Sequence, residues 1–127
     1  MELSTLKVKL KTGNDLEIWP ATFDDGYNLL QVVSREFSTL DLVNGTVEGL
    51  SMQLMSSKPV SEAMWPCITK CTYKGNRLQK GVFESMEARK DFIEIVKEVM
   101  VFNITPFSEN VASLCKAMFQ KDIAILT

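Results

Sequence analysis

Histidine is absent from all 127 residues. Triads and dyads that use imidazole as a base, and most zinc sites, are excluded with it. An excess of either charge is also missing. The 14 basic and 16 acidic residues leave a net charge of −2, which gives no electrostatic footing on nucleic acid. No apolar run approaches the ~18 residues of a membrane span. The start, Met1-Glu2-Leu3-Ser4, has neither the charged nor the apolar region of a secretory signal. Cysteines are few and odd in number, Cys67, Cys71 and Cys115, which reads as reduced thiols in a reducing compartment. No phosphate-cradling glycine loop, internal repeat or linker interrupts the chain. What is present is a hydrophobic fraction of 46%, too high for disorder. The length suits one domain over residues 1–127.

Residues 3–20 read as a β-hairpin. Leu6, Val8 and Leu10 alternate with Lys7, Lys9 and Lys11, and Leu16 and Ile18 alternate with Glu17 and Trp19. Pairing Leu10 with Leu16 and Val8 with Ile18 keeps one face apolar. It sets Lys9 against Glu17 and Lys11 against Asp15, and leaves a three-residue loop with Asn14 in the left-handed conformation. Pro20 stops the strand. Two strands alone are marginal, so the hairpin must lie on helices or gain another strand.

Helices follow. Thr22 caps a helix reaching about Leu40, with Asp24 and Asp25 in its first turn. Phe23, Tyr27, Leu30, Val33 and Phe37 form its apolar face, and Val32 points away from it. Asn44-Gly45 marks a turn, and Thr46 caps a shorter helix with Val47, Leu50 and Leu54. Pro59 ends that region. Ser61 caps the next helix, with Met64, Cys67, Ile68 and Cys71 on one side and Pro66 inside it. Lys74-Gly75-Asn76 is a turn. The strongest helix spans about 86–104 behind Ser85, its apolar stripe (Phe92, Ile93, Ile95, Val96, Val99, Met100, Phe102, Ile104) covering more than half its circumference. That width marks a central helix with Phe92, Val96 and Val99 buried. Asn103 falls within the stripe and is predicted buried, bonding backbone at the 103–106 junction. Val101 points away. Thr105-Pro106 starts the last helix, whose apolar face carries Phe107, Val111, Leu114, Cys115 and Met118. The expected fold is α+β and helix-dominant, with an N-terminal β-hairpin packed on a bundle of four to five helices.

No side-chain set points to catalysis. Cys67 and Cys71, at i and i+4, put both sulfurs on one helix face, but a metal would need about two more ligands. Small buried apolar residues is the better reading. Asp24/Asp25 and Glu94/Glu98 lie at a helix start and on a polar helix side, where solvated carboxylates are ordinary. Outward Lys7, Lys9 and Lys11 protect an exposed strand. Seven methionines add adaptable apolar surface. No enzyme activity, metal or cofactor is expected.

One stretch goes further. Met64-Trp65-Pro66-Cys67-Ile68-Thr69-Lys70-Cys71-Thr72-Tyr73 is followed by Leu78, Val82-Phe83-Glu84, Ala88-Arg89-Lys90-Asp91-Phe92-Ile93-Glu94-Ile95 and Asn103-Ile104-Thr105-Pro106-Phe107. This order resembles the tail assembly chaperones of long-tailed phages of Gram-positive bacteria, in layout over about 3–119 and in motif over about 64–107. It departs from the family pattern at Phe92-Ile93, where that pattern has tyrosines, and at Pro66 inside a helix. The residues carrying the resemblance are Tyr73, Phe83, Arg89, Asp91, Phe92, Asn103, Pro106 and Phe107, mostly of structural kind.

The resemblance implies an assembly factor in the bacterial host cytoplasm. Its partner would be the tape measure protein, whose apolar helical segments it would keep soluble before tail tube polymerisation. It would then be absent from the mature virion. Self-association, or a longer form made by frameshifting, belongs to the same expectation; nucleic acid and membrane do not. Two other readings stand beside it: a structural virion component such as a tail completion or connector protein, and a host-directed phage inhibitor.

Overall fold

The computed structural model describes residues 4–39 and 47–119, with side chains omitted over 47–51. Its described residues form an α+β, helix-dominant fold. In chain order the elements are β1 (Leu6–Lys9), β2 (Asp15–Ile18), α1 (Phe23–Thr39), α2 (Val47–Ser56), α3 (Lys58–Ile68), β3 (Thr72–Tyr73), β4 (Asn76–Arg77), a 3-10 turn (Lys80–Glu84), α4 (Met86–Ile104) and α5 (Glu109–Met118). The expected Asn44-Gly45 turn, the Thr46 cap and the end of the first helix at Leu40 lie outside the described residues, as do Val47 and Leu50 as side chains.

The sheet is larger than one hairpin. Four antiparallel strands run in the order β1-β2-β3-β4. Two residues suffice for β3 and β4 because their loop is tight. Lys74 (φ 53°) and Gly75 (φ 83°) both take the left-handed conformation, the geometry that matches strand twist in a two-residue hairpin. The two extra strands escaped the sequence pattern because four residues are too few to show a period.

The β1–β2 register also differs from expectation by two residues. Val8 faces Leu16, Leu6 faces Ile18, Lys7 faces Glu17 and Lys9 faces Asp15. A two-residue slip leaves every side chain on its original face, so hydrophobic patterning cannot discriminate between the two pairings. The loop is then residues 10–14, closed by bonds from Leu10 N to Asn14 O (2.9 Å) and from Gly13 N to Leu10 O (2.8 Å). Gly13 (φ 94°), not Asn14, takes the left-handed position.

α4 is the centre. It coincides with the expected 86–104 helix, and Ser85 caps it by accepting a bond from Ala88 N. It contacts α1, α3, α5, the 3-10 turn and β2. Val96, Val99, Ile95, Met100 and Ile104 are buried. Phe92 is only half-buried, Phe102 likewise, and Ile93 is exposed. The buried arc is narrower than the stripe because part of the helix forms a surface with the 3-10 turn and another part with the 105–108 connection. Among the described residues, the buried apolar side chains form one contiguous cluster.

Other expectations are corrected. Thr22 does cap α1, accepting from Asp25 N, but the buried face is Gly26, Leu29, Val32, Val33 and Phe37. At ~100° per residue this arc is rotated by roughly a quarter turn from the expected one. Val32 therefore points inward, while Phe23 and Tyr27 are exposed. The arc is set by two neighbours, α3 and α4. Ser57, not Ser61, caps α3, and Pro59 sits in that helix's first turn, where a missing N–H is harmless. Cys71 lies beyond the end of α3, so it shares no helix face with Cys67; its thiol bonds Cys67 O instead. Thr105 ends α4, with its hydroxyl on Val101 O (2.6 Å), and Ser108 caps α5. Pro106 and Phe107 thus belong to a turn between helices, and Leu114 is exposed.

Candidate functional site

The eight motif residues fall into three groups. Tyr73 and Asp91 meet in the first. The Asp91 side chain is 1% exposed. Its carboxylate accepts from Thr12 Oγ1 (2.6 Å), Asn14 Nδ2 (2.9 Å) and the Tyr73 hydroxyl (2.6 Å). The Lys11 backbone N–H donates to Glu94 one turn further along α4. Together these bonds pin the β1–β2 loop onto the central helix. Three donors converge on the one carboxylate, which makes the arrangement a clamp between sheet and helix.

Phe83, Phe92 and Arg89 form the second group. The Phe83 and Phe92 rings meet edge-on at 5.0 Å, each 6.1 Å from Trp65, and Lys80 lies 5.2 Å over the Trp65 ring. Arg89 Nε donates to Phe83 O (2.7 Å), holding the 3-10 turn against α4.

Asn103, Pro106 and Phe107 form the third, in which Pro106 and Phe107 face solvent. Asn103 is buried as expected, but its bonds go elsewhere than the 103–106 junction. Its Oδ1 accepts from Ala21 N (3.0 Å), and its Nδ2 donates to Val99 O (2.9 Å). It thus ties the segment before α1 to α4, and so holds α1 beside the 105–108 turn. That turn is tight, with Phe107 N and Ser108 N both bonded to Ile104 O. It folds the Phe107 ring back onto α1, where Gly26 leaves room for it. A Cβ at Gly26 would stand 3.3 Å from Phe107 Cε2.

Three aromatic rings result, in mutual contact and open to water. Phe23 and Tyr27 stack at 5.8 Å, and Phe107 tilts against both at 5.7 and 5.8 Å. Phe23 is 70% exposed. Two cavities adjoin Phe107. One, of about 640 Å³, is lined by Leu6, Val101, Phe102 and Pro106. The other, of about 290 Å³, is lined by Ala21, Phe23, Phe102 and Pro106. Phe102, Pro106 and Phe107 line both, so they read as one groove. Contiguous exposed aromatics beside a concavity are the usual mark of a protein-docking surface.

Sequence reasoning placed Phe23 and Tyr27 in the core and passed over Leu6 as part of this surface. The available signal was their i, i+4 spacing at the very start of a helix, where neighbours are fewest. The long-range partner Phe107 had no local signature.

The three thiols are buried. Burial, then the Asp25 charge and Cys71, push the Cys67 thiol up to about 12. Burial takes Cys71 to about 11 against a backbone bond from Trp19, and Cys115 to about 12. Among the described residues, no group of three or more Cys, Asp or Glu is placed to hold a metal ion, and no helix is long and apolar enough to cross a membrane. Comparison with protein-family models, curated proteins and solved structures finds no match.

Proposed function

We propose that the chain is a phage tail assembly chaperone. It acts by binding and not by catalysis, in the cytoplasm of the bacterial host. Its partner is the tape measure protein, whose apolar helical segments it covers before tube subunits polymerise, and it is absent from the finished particle. The observation that carries this reading is the exposed Phe23–Tyr27–Phe107 cluster with the groove that adjoins Phe107. It joins the sequence resemblance over 64–107, which ends at that same Phe107.

A groove of this kind suits a helix laid in by its apolar face. One tape measure chain offers many similar segments, so weak sites add through effective concentration. Self-association, or a longer frameshifted form, would raise that valency further.

The test is co-expression with the tape measure protein of the same phage. The expected result is that the tape measure stays soluble and is retained on the tagged protein, and that Phe107→Ser abolishes retention while the variant, though less stable, still melts as one cooperative unit. Failure of the wild type to bind sinks the chaperone reading. Proteomics of purified virions decides against the connector alternative if the protein is absent, and for it if the protein is present at structural copy number.

A further inference from the structure

The groove beside Phe107 is apolar at its floor and acidic at its rim. The ionisable residues lining its larger half are Glu98 and Glu109, and Asp24 follows Phe23 in the first turn of α1. Among the described residues, no Lys or Arg lines either half. Glu98 is paired with Lys97 at 2.9 Å. Asp24 and Glu109 have no ion pair among the described residues. The lysines of β1 do not neutralise this rim. Successive side chains of a strand point to opposite faces. Leu6 lines the groove, whereas Lys7 and Lys9 line the other side of the sheet with Asp15 and Glu17.

We infer that the groove selects a basic amphipathic helix. The bound segment carries apolar side chains three or four residues apart, seated against Phe107, with Lys or Arg flanking them. This rests on the binding reading above and adds the charge pattern of what is bound. The two sets of contacts have different jobs. Apolar burial supplies the affinity. The two unpaired carboxylates, Asp24 and Glu109, stand in water, where each ion pair is worth little and salt screens it. Their combined effect is therefore selection among apolar helices, about tenfold at low salt, and not binding as such.

The experiment uses two synthetic helical peptides of about 18 residues with the same leucine face, one flanked by Lys and the other by Glu, titrated into the full chain by fluorescence anisotropy. The Lys peptide binds about tenfold more tightly at low salt, and the two converge as salt rises. Asp24→Lys with Glu109→Lys, both at exposed positions, reverses the preference. Phe107→Ser weakens both peptides. Equal affinity of the two peptides for the wild type overturns the inference. So does a preference that survives both variants, which would place binding elsewhere. So does concentration-dependent self-association in sedimentation velocity that Phe23→Ser removes, since a second copy would then fill the groove. The two failures are distinguishable. A tape measure protein left unbound while the Lys peptide binds sinks the chaperone reading alone. A tape measure bound without charge preference between peptides sinks this one alone.

Discussion

The Tyr73 hydroxyl donates to Asp91 Oδ2 over 2.6 Å, and both side chains are withdrawn from solvent. One residue lies on the third strand and the other on the central helix, 18 positions apart. With Thr12 and Asn14 on the same carboxylate, the bond makes the sheet and the helix one mechanical unit.

A pH dependence follows. Burial taken alone would raise the Asp91 carboxyl. The bonds from Asn14, Thr12 and Tyr73, with the Lys74 charge, outweigh it and hold the carboxyl below its ordinary value. A depressed folded pKa contributes stability that is present above the unfolded value of ~3.9. That stability is lost as pH falls through the folded pKa. Urea midpoints should therefore drop below about pH 4, and Asp91→Asn should flatten that drop. At neutral pH Asp91→Ala strands three donors and should cost about 3 kcal/mol, whereas Tyr73→Phe removes one donor and should cost about 1.5 kcal/mol. Equal costs would mean that Tyr73 alone carries the clamp.

The thiols predict the alkaline side. A thiol whose folded pKa is raised contributes stability that is complete below its unfolded value, near 9.0 here. That contribution is lost as pH climbs toward the folded values of about 11 for Cys71 and about 12 for Cys67 and Cys115. The melting temperature should fall from about pH 9 upward, and Cys115→Ala should soften the fall. In the native state all three thiols should react far more slowly with a disulfide reagent than in urea. A native thiol reacting at the denatured rate would contradict the burial.

The central helix separates two kinds of apolar residue. Ile95 is fully buried, and Ile95→Ala should cost about 2–5 kcal/mol. Phe92 touches Phe83 and Trp65 but keeps one side in water. Phe92→Ala should therefore cost about 2 kcal/mol, below the ~3–5 kcal/mol of a buried phenylalanine. Denaturant melts of the two variants check the order, and a larger loss at Phe92 would place the 3-10 turn in the core.

What the sequence revealed depended on length and on locality. α4 was legible to its cap because 19 residues hold a clear period and Ser85 announces the start. The β1–β2 faces were legible, but their register was not, because a slip of two preserves the alternation. β3 and β4 had only a turn signal. The start of the last helix was misplaced because Thr105-Pro106 has the form of a cap followed by proline. Thr105 instead stays helical, and Ser108 does the capping. The aromatic surface was illegible for a different reason. Phe23, Tyr27 and Phe107 look like core residues one at a time, and only the turn at 105–108 and the gap at Gly26 bring them together in water.

That gap allows the surface to be altered without weakening the fold. Alanine is the better helix former by up to ~1 kcal/mol, so Gly26→Ala gains in α1 itself. Its Cβ would lie 3.3 Å from Phe107 Cε2, and the partly exposed ring must give by a few tenths of an ångström. The two effects oppose each other, and stability should change by no more than about 0.5 kcal/mol. Gly26→Val adds two methyl groups where no space remains, and should push the ring off α1 and break its contact with Phe23 and Tyr27. Melting by circular dichroism, together with retention of the tape measure protein, checks both variants. Retention should weaken slightly for Gly26→Ala and severely for Gly26→Val, while melting of the alanine variant stays near wild type. Undiminished retention by a folded Gly26→Val variant would show that the position of Phe107 is irrelevant to binding, and the groove would lose its role.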